Sequence, residues 1–342
     1  MQKRKYLVKY IVFFILVISA LTLVVLSSAK AEESDPATAD PGDARISVLC
    51  LGLDDAAGNT DVVMLLSLDP RDGSLTLLQI PRDTYLGSHT VQSKINQLYP
   101  SYLGKGYQKN EALDLVKREL ADVLGVDIDY YMAVDLEAVS HIVDSLGGLR
   151  VEVPFPVRHR SRDGEGYVEI PAGEQLLGGR EAIEFLRFRA GYLEGDLGRV
   201  DAQKLLLAAG YRKLKEDIGI VALLRLIPDM YGRLYTDMPL TKGISLARSF
   251  LSSKGDHLRL LTLPGEATRA DGDRGIWYYV ANKPSAEEAL DLFFGGRDFD
   301  PSGRLFDPDR IHFSNIYYDR SLGYTVYTEE TLDNIAVKTK QK

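Results

Sequence analysis

The stretch ISVLCLGL, residues 46–53, is followed by VVMLLSLDP at residues 62–70 and by SLTLLQIPRD at residues 74–83. Each is a short apolar run bounded by turn residues, a pattern typical of a buried β-strand. Asp72 and Gly73, between the second and third runs, supply the chemistry of a tight hairpin turn. We therefore predict a buried strand followed by a β-hairpin.

Helical patterns alternate with further strands along the rest of the chain. Residues 108–124 space their apolar positions for an amphipathic helix that ends at Gly125. Residues 158–166 are predicted to form a charged loop. Further strands are predicted in DYYMAVD, LRVEVPFPV and HLRLLTLP, and further helices in LEAVSHIVDSLGG, GEQLLGGREAIEFLRFR, residues 199–216, IGIVALLRLIPDMYGRLY and SAEEALDLFFGG. This alternation predicts the α/β class, with helices covering a mixed sheet.

The composition of the chain excludes several classes of function. With 342 residues and a net charge of −8, the chain lacks the basic footprint of a general nucleic-acid-binding protein. Its single cysteine, Cys50, precludes an intrachain disulfide and a metal site built from several cysteines. Because Cys50 lies within an apolar run, we predict a buried structural thiol.

The N-terminus has the pattern of a membrane anchor. Residues 1–9 are basic, residues 10–29 are mostly apolar, and residues 30–44 form a polar, acidic linker. The apolar run is long enough to span a bilayer, and the basic flank favours a cytoplasmic N-terminus with the remainder outside. The alternative is a cleaved signal peptide, since residues 29–31 resemble a cleavage site. We predict a domain at residues 45–296 and a C-terminal appendage at residues 297–342.

An arginine-rich stretch is the main candidate for an anion-binding site. The sequence LRFRAGYLEGDLGRVDAQK, residues 186–204, contains Arg187, Arg189 and Arg199. The arginine side chain is always charged and presents a planar fork of donors, which suits phosphate or carboxylate oxygens. Alternatively, these arginines are surface charges that pair with nearby glutamates, Glu181, Glu184 and Glu194.

Carboxylates follow the first predicted strand. Asp54 and Asp55 come directly after it, and Asp61 precedes the next strand. Carboxylates at strand ends that face a common cleft are typical of a Mg²⁺ site, where the ion shares its coordination with substrate phosphates. The alternative is ordinary turn chemistry beside a glycine.

Two further polar clusters accompany the hairpin. Arg82 and Asp83 come directly after the strand that ends in IPRDTYLG, and Lys94 and Asn96 lie in SKINQLYP. An arginine that leaves a strand end can line a site, but it can equally be an edge charge. Neither cluster indicates a function by itself.

Taken together, the motifs resemble a known family. GLDD…TDVVMLLSLDP, LLQIPRDTYL, SKINQLYP, VDIDYYMAVDLEAVSHIVDSLGGLRVEVP, IPAGEQLLGGREAIEFLRFR and EGDLGRVDAQK occur in the order and spacing of the LytR-CpsA-Psr family. The resemblance runs from about Ile46 to about Gly295. It implies an α/β/α sandwich with a central mixed sheet and a deep apolar pocket for a polyprenyl tail.

The resemblance also implies an activity. Members of that family are enzymes on the outer face of the cytoplasmic membrane, mostly in Gram-positive bacteria. They transfer an anionic glycopolymer, such as teichoic acid or capsule, from an undecaprenyl-diphosphate carrier to peptidoglycan. For this chain it therefore implies a polyprenyl (pyro)phosphate lipid, peptidoglycan and the membrane as partners, with Mg²⁺ as cofactor.

The resemblance assigns roles to individual residues. Asp54 and Asp61 match the aspartates that hold Mg²⁺, and Arg82 and Lys94 match the arginine and lysine of two substrate-binding motifs. The basic residues on the pyrophosphate are matched by Arg187, Arg189 and Arg199, and the acid and amide of the same segment by Asp196 and Gln203. For the tail pocket we consider the apolar runs 62–68, 205–208 and 219–227, which can equally be plain core.

Two positions depart from the family pattern. Asn59 and Ala202 each stand where the family usually has an arginine. The main hypothesis is phosphoryl transfer by positioning and electrostatics, with Asp61 or Asp196 as the proton acceptor. The departures favour the alternative, a catalytically weakened polyprenyl-phosphate-binding protein. A role in transcription is disfavoured by the acidic charge and the export signal.

Overall fold

A computed structural model describes residues 45–53, 59–69, 74–87, 94–160, 166–188, 192, 196–214, 234–243, 245–246, 258–270, 276–295, 321–328, 331–332 and 335. Within helices, the side chains of Arg187 and of residues 196–202 are outside this description. The predicted basic tail, membrane anchor and linker, residues 1–44, lie outside the described residues. Among the helices that are described, none combines the length and apolarity needed to cross a membrane.

A seven-stranded mixed sheet forms the centre of the described structure. The strands, in spatial order, are β13 (Tyr327–Thr328), β10 (Leu258–Thr262), β3 (Ser74–Ile80), β2 (Thr60–Asp69), β1 (Ile46–Leu53), β4 (Tyr130–Val134) and β9 (Tyr235–Thr236). β2 runs antiparallel to both β1 and β3. β4 is parallel to β1, and β10 is parallel to β3. The prediction of a mixed sheet is therefore confirmed.

Helices cover both faces of this sheet. The helices are α1 (Leu98–Gly104), α2 (Lys109–Leu124), α3 (Leu136–Ser145), α4 (Gly179–Arg187), α5 (Asp196–Arg212) and α6 (Lys283–Phe294). Apolar residues of α1, α2 and α6 pack on one face, and those of α3, α4 and α5 pack on the other. The result is a three-layer α/β/α arrangement with two separate cores.

The central strands show why their sequences are continuously apolar. In β1 every residue is buried, with Val48 and Cys50 in one core and Leu49 and Leu51 in the other. A strand covered on both faces has no polar face to alternate with its apolar one. The predicted strands at the start of the domain are confirmed for this reason.

Three short two-stranded sheets accompany the central one in the described residues. They pair β5 (Leu149–Val153) with β8 (Gly173–Leu177), β6 (Val157–Arg160) with β7 (Tyr167–Ile170), and β11 (Gly265–Arg269) with β12 (Trp277–Ala281). Two sequence predictions are corrected here. GEQLL is strand β8 rather than helix, because it pairs with β5. The start of the predicted loop at residues 158–166 belongs to strand β6, because it pairs with β7.

The helix that follows β8 begins at a glycine for a steric reason. A Cβ atom at Gly179 would collide with the backbone oxygen of Ser140 in α3. The Gly179 amide also donates a hydrogen bond to Asp144 Oδ1 at 2.7 Å, which satisfies one of the free amides at the start of α4. Helices α3 and α4 therefore touch at backbone distance.

The described part of the predicted C-terminal appendage, residues 297–342, packs with the domain. β13 pairs with β10 at the edge of the central sheet. Leu332 and Ile335 lie in the same core as α3, α4 and α5, and Leu332 is 1% exposed.

Candidate functional site

One edge of the central sheet brings several of the predicted site residues together. At this edge, called here the site edge, β1, β3, β4 and β10 end and β2 begins. Asp61 is the second residue of β2, and Arg82 follows the end of β3 by two residues. The antiparallel register places Val63 opposite Ile80, so both functional side chains emerge at the same place.

Arg82 and Asp61 form a buried ion pair. Arg82 Nη1 lies 3.1 Å from Asp61 Oδ1, and the two side chains are 10% and 1% exposed. Burial lowers the local dielectric and strengthens this attraction, but it also makes either charge costly without compensation. The two residues were predicted for different roles, diphosphate binding and metal binding, and the structure shows them in contact.

The ion pair continues into a row of alternating charges. Arg82 Nε lies 3.7 Å from Asp83 Oδ2, and Lys94 Nζ lies 2.9 Å from Asp83 Oδ1. We call Asp61, Arg82, Asp83 and Lys94 the charge row. Asp83 was not predicted as a site residue, although in the sequence it lies between Arg82 and Lys94, two cations that match family motifs. It links the motif after β3 to the motif that contains Lys94.

Backbone hydrogen bonds hold the charge row from two sides. The Asn96 amide donates to the Arg82 carbonyl at 3.2 Å, and the Tyr279 amide donates to the Asp83 carbonyl at 2.9 Å. Lys94 Nζ also lies 5.3 Å from the centroid of the Tyr278 ring, a cation–π distance. The turn after β3 is therefore fixed between the Lys94 segment and strand β12, which favours a preorganised site.

Helix α5 brings an amide to the same edge. Gln79 Nε2, on β3, donates a hydrogen bond to Gln203 Oε1, and both side chains are almost fully buried. Among the described residues, Gln203 Nε2 and Gln79 Oε1 have no hydrogen-bond partner. A buried donor and acceptor of this kind are costly unless a ligand or water satisfies them. The substrate role of Gln203 stays a prediction.

The remaining predicted residues are located less fully. Asp54 and Arg189 lie outside the described residues. Arg187 is the last residue of α4, while Asp196 and Arg199 lie in the first turn of α5, and only their backbones are described. Arg199 precedes Gln203 by about one helical turn, so the two backbone positions lie about 6 Å apart along the axis of α5.

The structure also locates parts of the two positions that depart from the family pattern and of the runs considered for the tail pocket. Asn59 is half-buried directly before β2, and the Ala202 side chain is not described. Residues 62–68 are buried throughout, and residues 206–208 lie in the core shared with α3 and α4. These runs therefore contribute to the core, and the run 219–227 lies outside the described residues.

A magnesium site is compatible with the donor chemistry at the site edge. Mg²⁺ prefers oxygen ligands and binds through one or two carboxylates plus substrate phosphates. Asp61 carries one such carboxylate, and the second predicted ligand, Asp54, is the next residue in the sequence after β1 and lies outside the described residues. In the described part of the chain, no group of three or more potential metal ligands occurs.

Comparison with known proteins places the chain in a family. The sequence profile of the LytR_cpsA_psr family matches residues 17–292. Polyisoprenyl-teichoic acid–peptidoglycan teichoic acid transferase TagV of Bacillus subtilis is 27% identical over 265 residues, which are 75% of this chain and 65% of TagV. TagU of the same organism, named for the same activity, is 27% identical over 248 residues, 71% of this chain and 74% of TagU.

Solved structures support the same conclusion. The crystal structure of Bacillus subtilis TagV matches with a TM-score of 0.61 at 25% identity, over 75% of this chain and 99% of the other. Protein gbs0355 of Streptococcus agalactiae shares the fold, with a TM-score of 0.59 at 19% identity over 74% of this chain and 89% of that protein. Because the family profile covers most of the chain, the protein belongs to the LytR_cpsA_psr family.

Proposed function

We propose that the protein is a phosphotransferase that moves an anionic glycopolymer, such as teichoic acid, from a polyprenyl-diphosphate carrier to peptidoglycan. The observation that carries this proposal is the charge row at the site edge, in a chain whose relatives are named as transferases of this kind. The proposed anchor at residues 10–29 holds the domain on the outer face of the membrane in a Gram-positive-type bacterium. Nucleic acid is not a proposed partner.

The charges at the site edge suit a diphosphate. A diphosphate concentrates negative charge, and its binding requires fixed cations with several donors. Arg82 offers a guanidinium whose position is already set by Asp61 and Asp83. Arg187, Arg189 and Arg199 are the proposed additional cations, and Lys94 and Gln203 are proposed to bind substrate. A partly buried arginine stabilises developing charge better than one in open water.

Mg²⁺ is the proposed cofactor, with Asp61 and Asp54 as its carboxylate ligands. When bound, it supplies positive charge against the diphosphate oxygens. The chain itself contributes the arginines that bind and orient the diphosphate.

The proposed reaction is a single displacement at phosphorus. A hydroxyl oxygen of the acceptor sugar bonds to the phosphorus next to the polymer, and the bond from that phosphorus to the bridging oxygen breaks. The polyprenyl phosphate leaves with that bond's electron pair, and its charge is held by the arginines. The hydroxyl proton passes to a carboxylate, for which Asp61 and Asp196 are the two candidates.

A second candidate function is retention of the lipid without turnover. The feature that favours it is Asn59, which stands two residues before Asp61 in place of the arginine usual in the family pattern. The loss of one cation next to the charge row weakens the stabilisation of the leaving phosphate.

One experiment separates the two functions. The full chain in detergent micelles is mixed with a short-chain polyprenyl-diphosphate-linked glycopolymer and peptidoglycan, with and without Mg²⁺, and released polyprenyl phosphate is quantified. We expect release that requires Mg²⁺ and falls by at least about 100-fold in Arg82→Ala, the scale seen when one charge-stabilising donor is removed. Lys105→Ala, an exposed cation away from the charge row, is the matched control. Bound lipid without release would select the binding function.

A further inference from the structure

A cleft of about 240 Å³ opens beside the end of β10. Its lining includes Lys204 of α5, Tyr279 of β12, and Tyr324 and Tyr327 of the C-terminal segment 321–328. Lys204 is 7% exposed, and its ammonium lies 5.3 Å from the centroid of the Tyr327 ring. Pockets for drug-sized ligands usually measure roughly 300–1,000 Å³. This smaller cleft therefore suits a group the size of one sugar ring.

The C-terminal wall of the cleft is anchored to the domain. The Leu322 amide donates to Ser285 Oγ at 2.8 Å, and Ser285 Oγ donates to the Leu322 carbonyl at 2.8 Å. Ser285 is fully buried at the start of α6, and β13 extends the central sheet a few residues later. The tyrosines of segment 321–328 are therefore held in place, as a binding wall requires.

The cleft adjoins the candidate site through two of its own lining elements. Lys204 directly follows Gln203, whose side chain contacts Gln79 at the site edge. Tyr279 donates its backbone amide to the Asp83 carbonyl of the charge row at 2.9 Å. A group bound in the cleft therefore lies next to the proposed diphosphate position.

An exposed tryptophan lies on the same strand as Tyr279 of the cleft. Trp277 precedes Tyr279 by two residues on β12, so both side chains lie on one face of the strand, about 6.5 Å apart. Trp277 is 51% exposed, and the Arg269 guanidinium lies 4.8 Å from its ring centroid. An aromatic ring with a polar edge packs well against the C–H face of a sugar while bonding its hydroxyls.

We propose that the cleft and Trp277 bind consecutive sugars of the acceptor glycan, a chain of N-acetylated amino sugars, and present a hydroxyl to the charge row. This inference rests on the proposed transferase function, and it assigns the acceptor to a surface separate from the diphosphate cations. The chemistry of the two surfaces agrees with that division, because the lining of the cleft includes three tyrosines and only one charged residue, Lys204, while all four residues of the charge row are ionic.

The chain offers a direct test, because Trp277 is its only tryptophan. Intrinsic fluorescence of the full chain in detergent is titrated with tetra-N-acetylchitotetraose, with cellotetraose as the sugar that lacks the acetamido groups. We expect a saturable change in emission with the first sugar and a dissociation constant about tenfold weaker in Tyr324→Ala, as for one lost aromatic contact. Tyr167→Ala, at an aromatic that is 65% exposed on the β6–β7 hairpin, leaves the dissociation constant unchanged.

Transfer kinetics provide the second readout. Trp277→Ala is expected to raise the KM for the acceptor glycan about tenfold with kcat held within about twofold, and Trp277→Phe is expected to restore most of the affinity. An unchanged acceptor KM in Trp277→Ala, or emission that does not respond to the glycan, would overturn the inference. Polyprenyl phosphate release by the unchanged chain tests the transferase function separately. A chain that binds the glycan but releases no polyprenyl phosphate would refute the transferase function and leave the glycan-binding surface standing.

Discussion

The buried pair of Arg82 and Asp61 allows a quantitative test of the site. At a separation of 3.1 Å, two unit charges attract by about 5 kcal/mol if the effective dielectric constant is about 20. Breaking a buried ion pair by removing one partner costs about 3–5 kcal/mol, because the remaining buried charge loses that attraction. We therefore expect Arg82→Ala to lower the free energy of unfolding by this amount. Asp61→Asn is expected to cost less, because Arg82 is 10% exposed and reaches solvent more easily.

The double variant Arg82→Ala/Asp61→Asn isolates the interaction between the two residues. Once Asp61 is neutral, truncation of Arg82 no longer leaves a buried charge, so the two losses combine to less than their sum. We expect a coupling energy of about 2–3 kcal/mol, within the range for contacting residues. Urea unfolding of the full chain, followed by circular dichroism and by Trp277 fluorescence, measures all four proteins. Losses that add to within about 0.5 kcal/mol would refute the pairing.

The same variants report on the proposed metal. In Arg82→Ala, Asp61 loses the attraction of Arg82, so Mg²⁺ that binds there restores stability. At a free concentration 100 times its dissociation constant, a ligand adds about 2.7 kcal/mol. We expect a Mg²⁺-dependent gain of this order in Arg82→Ala and none in the double variant. A gain that is equal in both would place the ion elsewhere.

Three further predictions follow from single features of the structure. Gly179→Ala is expected to lower the free energy of unfolding by about 1–3 kcal/mol, because its Cβ meets the Ser140 oxygen. Gly104→Ala, which has nothing near its Cβ, is expected to change the free energy of unfolding little, and urea unfolding compares the two variants. Burial raises the pKa of the Cys50 thiol well above its ordinary value, so we expect no reaction with a maleimide in the folded protein and full labelling in urea, as read by mass spectrometry. Burial, followed by neighbouring carboxylates, raises the pKa of Tyr131 to about 12 from 10.0. The contribution of the neutral phenol to stability is therefore complete below about pH 10 and is lost as the pH rises towards 12. Denaturation at a series of pH values should show this loss of stability, and the loss should be absent in Tyr131→Phe.

The parts of the fold that the sequence predicted correctly are those fixed by local pattern. β1, β2 and β3 are continuous apolar runs, and α2 carries its own stop signal in Gly125, whose φ of 61° suits a residue without a side chain. β8 was missed because its strand identity depends on β5, which lies twenty residues earlier and supplies the hydrogen bonds. β12 was overlooked for the same reason, since its partner is β11.

The candidate site was predicted as separate residues and not as a constellation. Arg82 and Asp61 were each named from a motif, but their contact depends on the register between β2 and β3. Asp83 was passed over because an aspartate after an arginine in a turn has many ordinary roles. Its importance appears only with Lys94, which lies eleven residues further and reaches back across the turn.

The pairing of β13 with β10 has a consequence for how the protein reaches its final shape. Arg259 and Leu260 on β10 pair with Thr328 and Tyr327, which come much later in the sequence than β10. Until those later residues are synthesised, one side of β10 presents unpaired amides and carbonyls, and such an open edge promotes pairing between molecules. A chain truncated before residue 327 would keep that edge permanently open, so it should aggregate more readily than the full chain even when its remaining strands are correctly assembled.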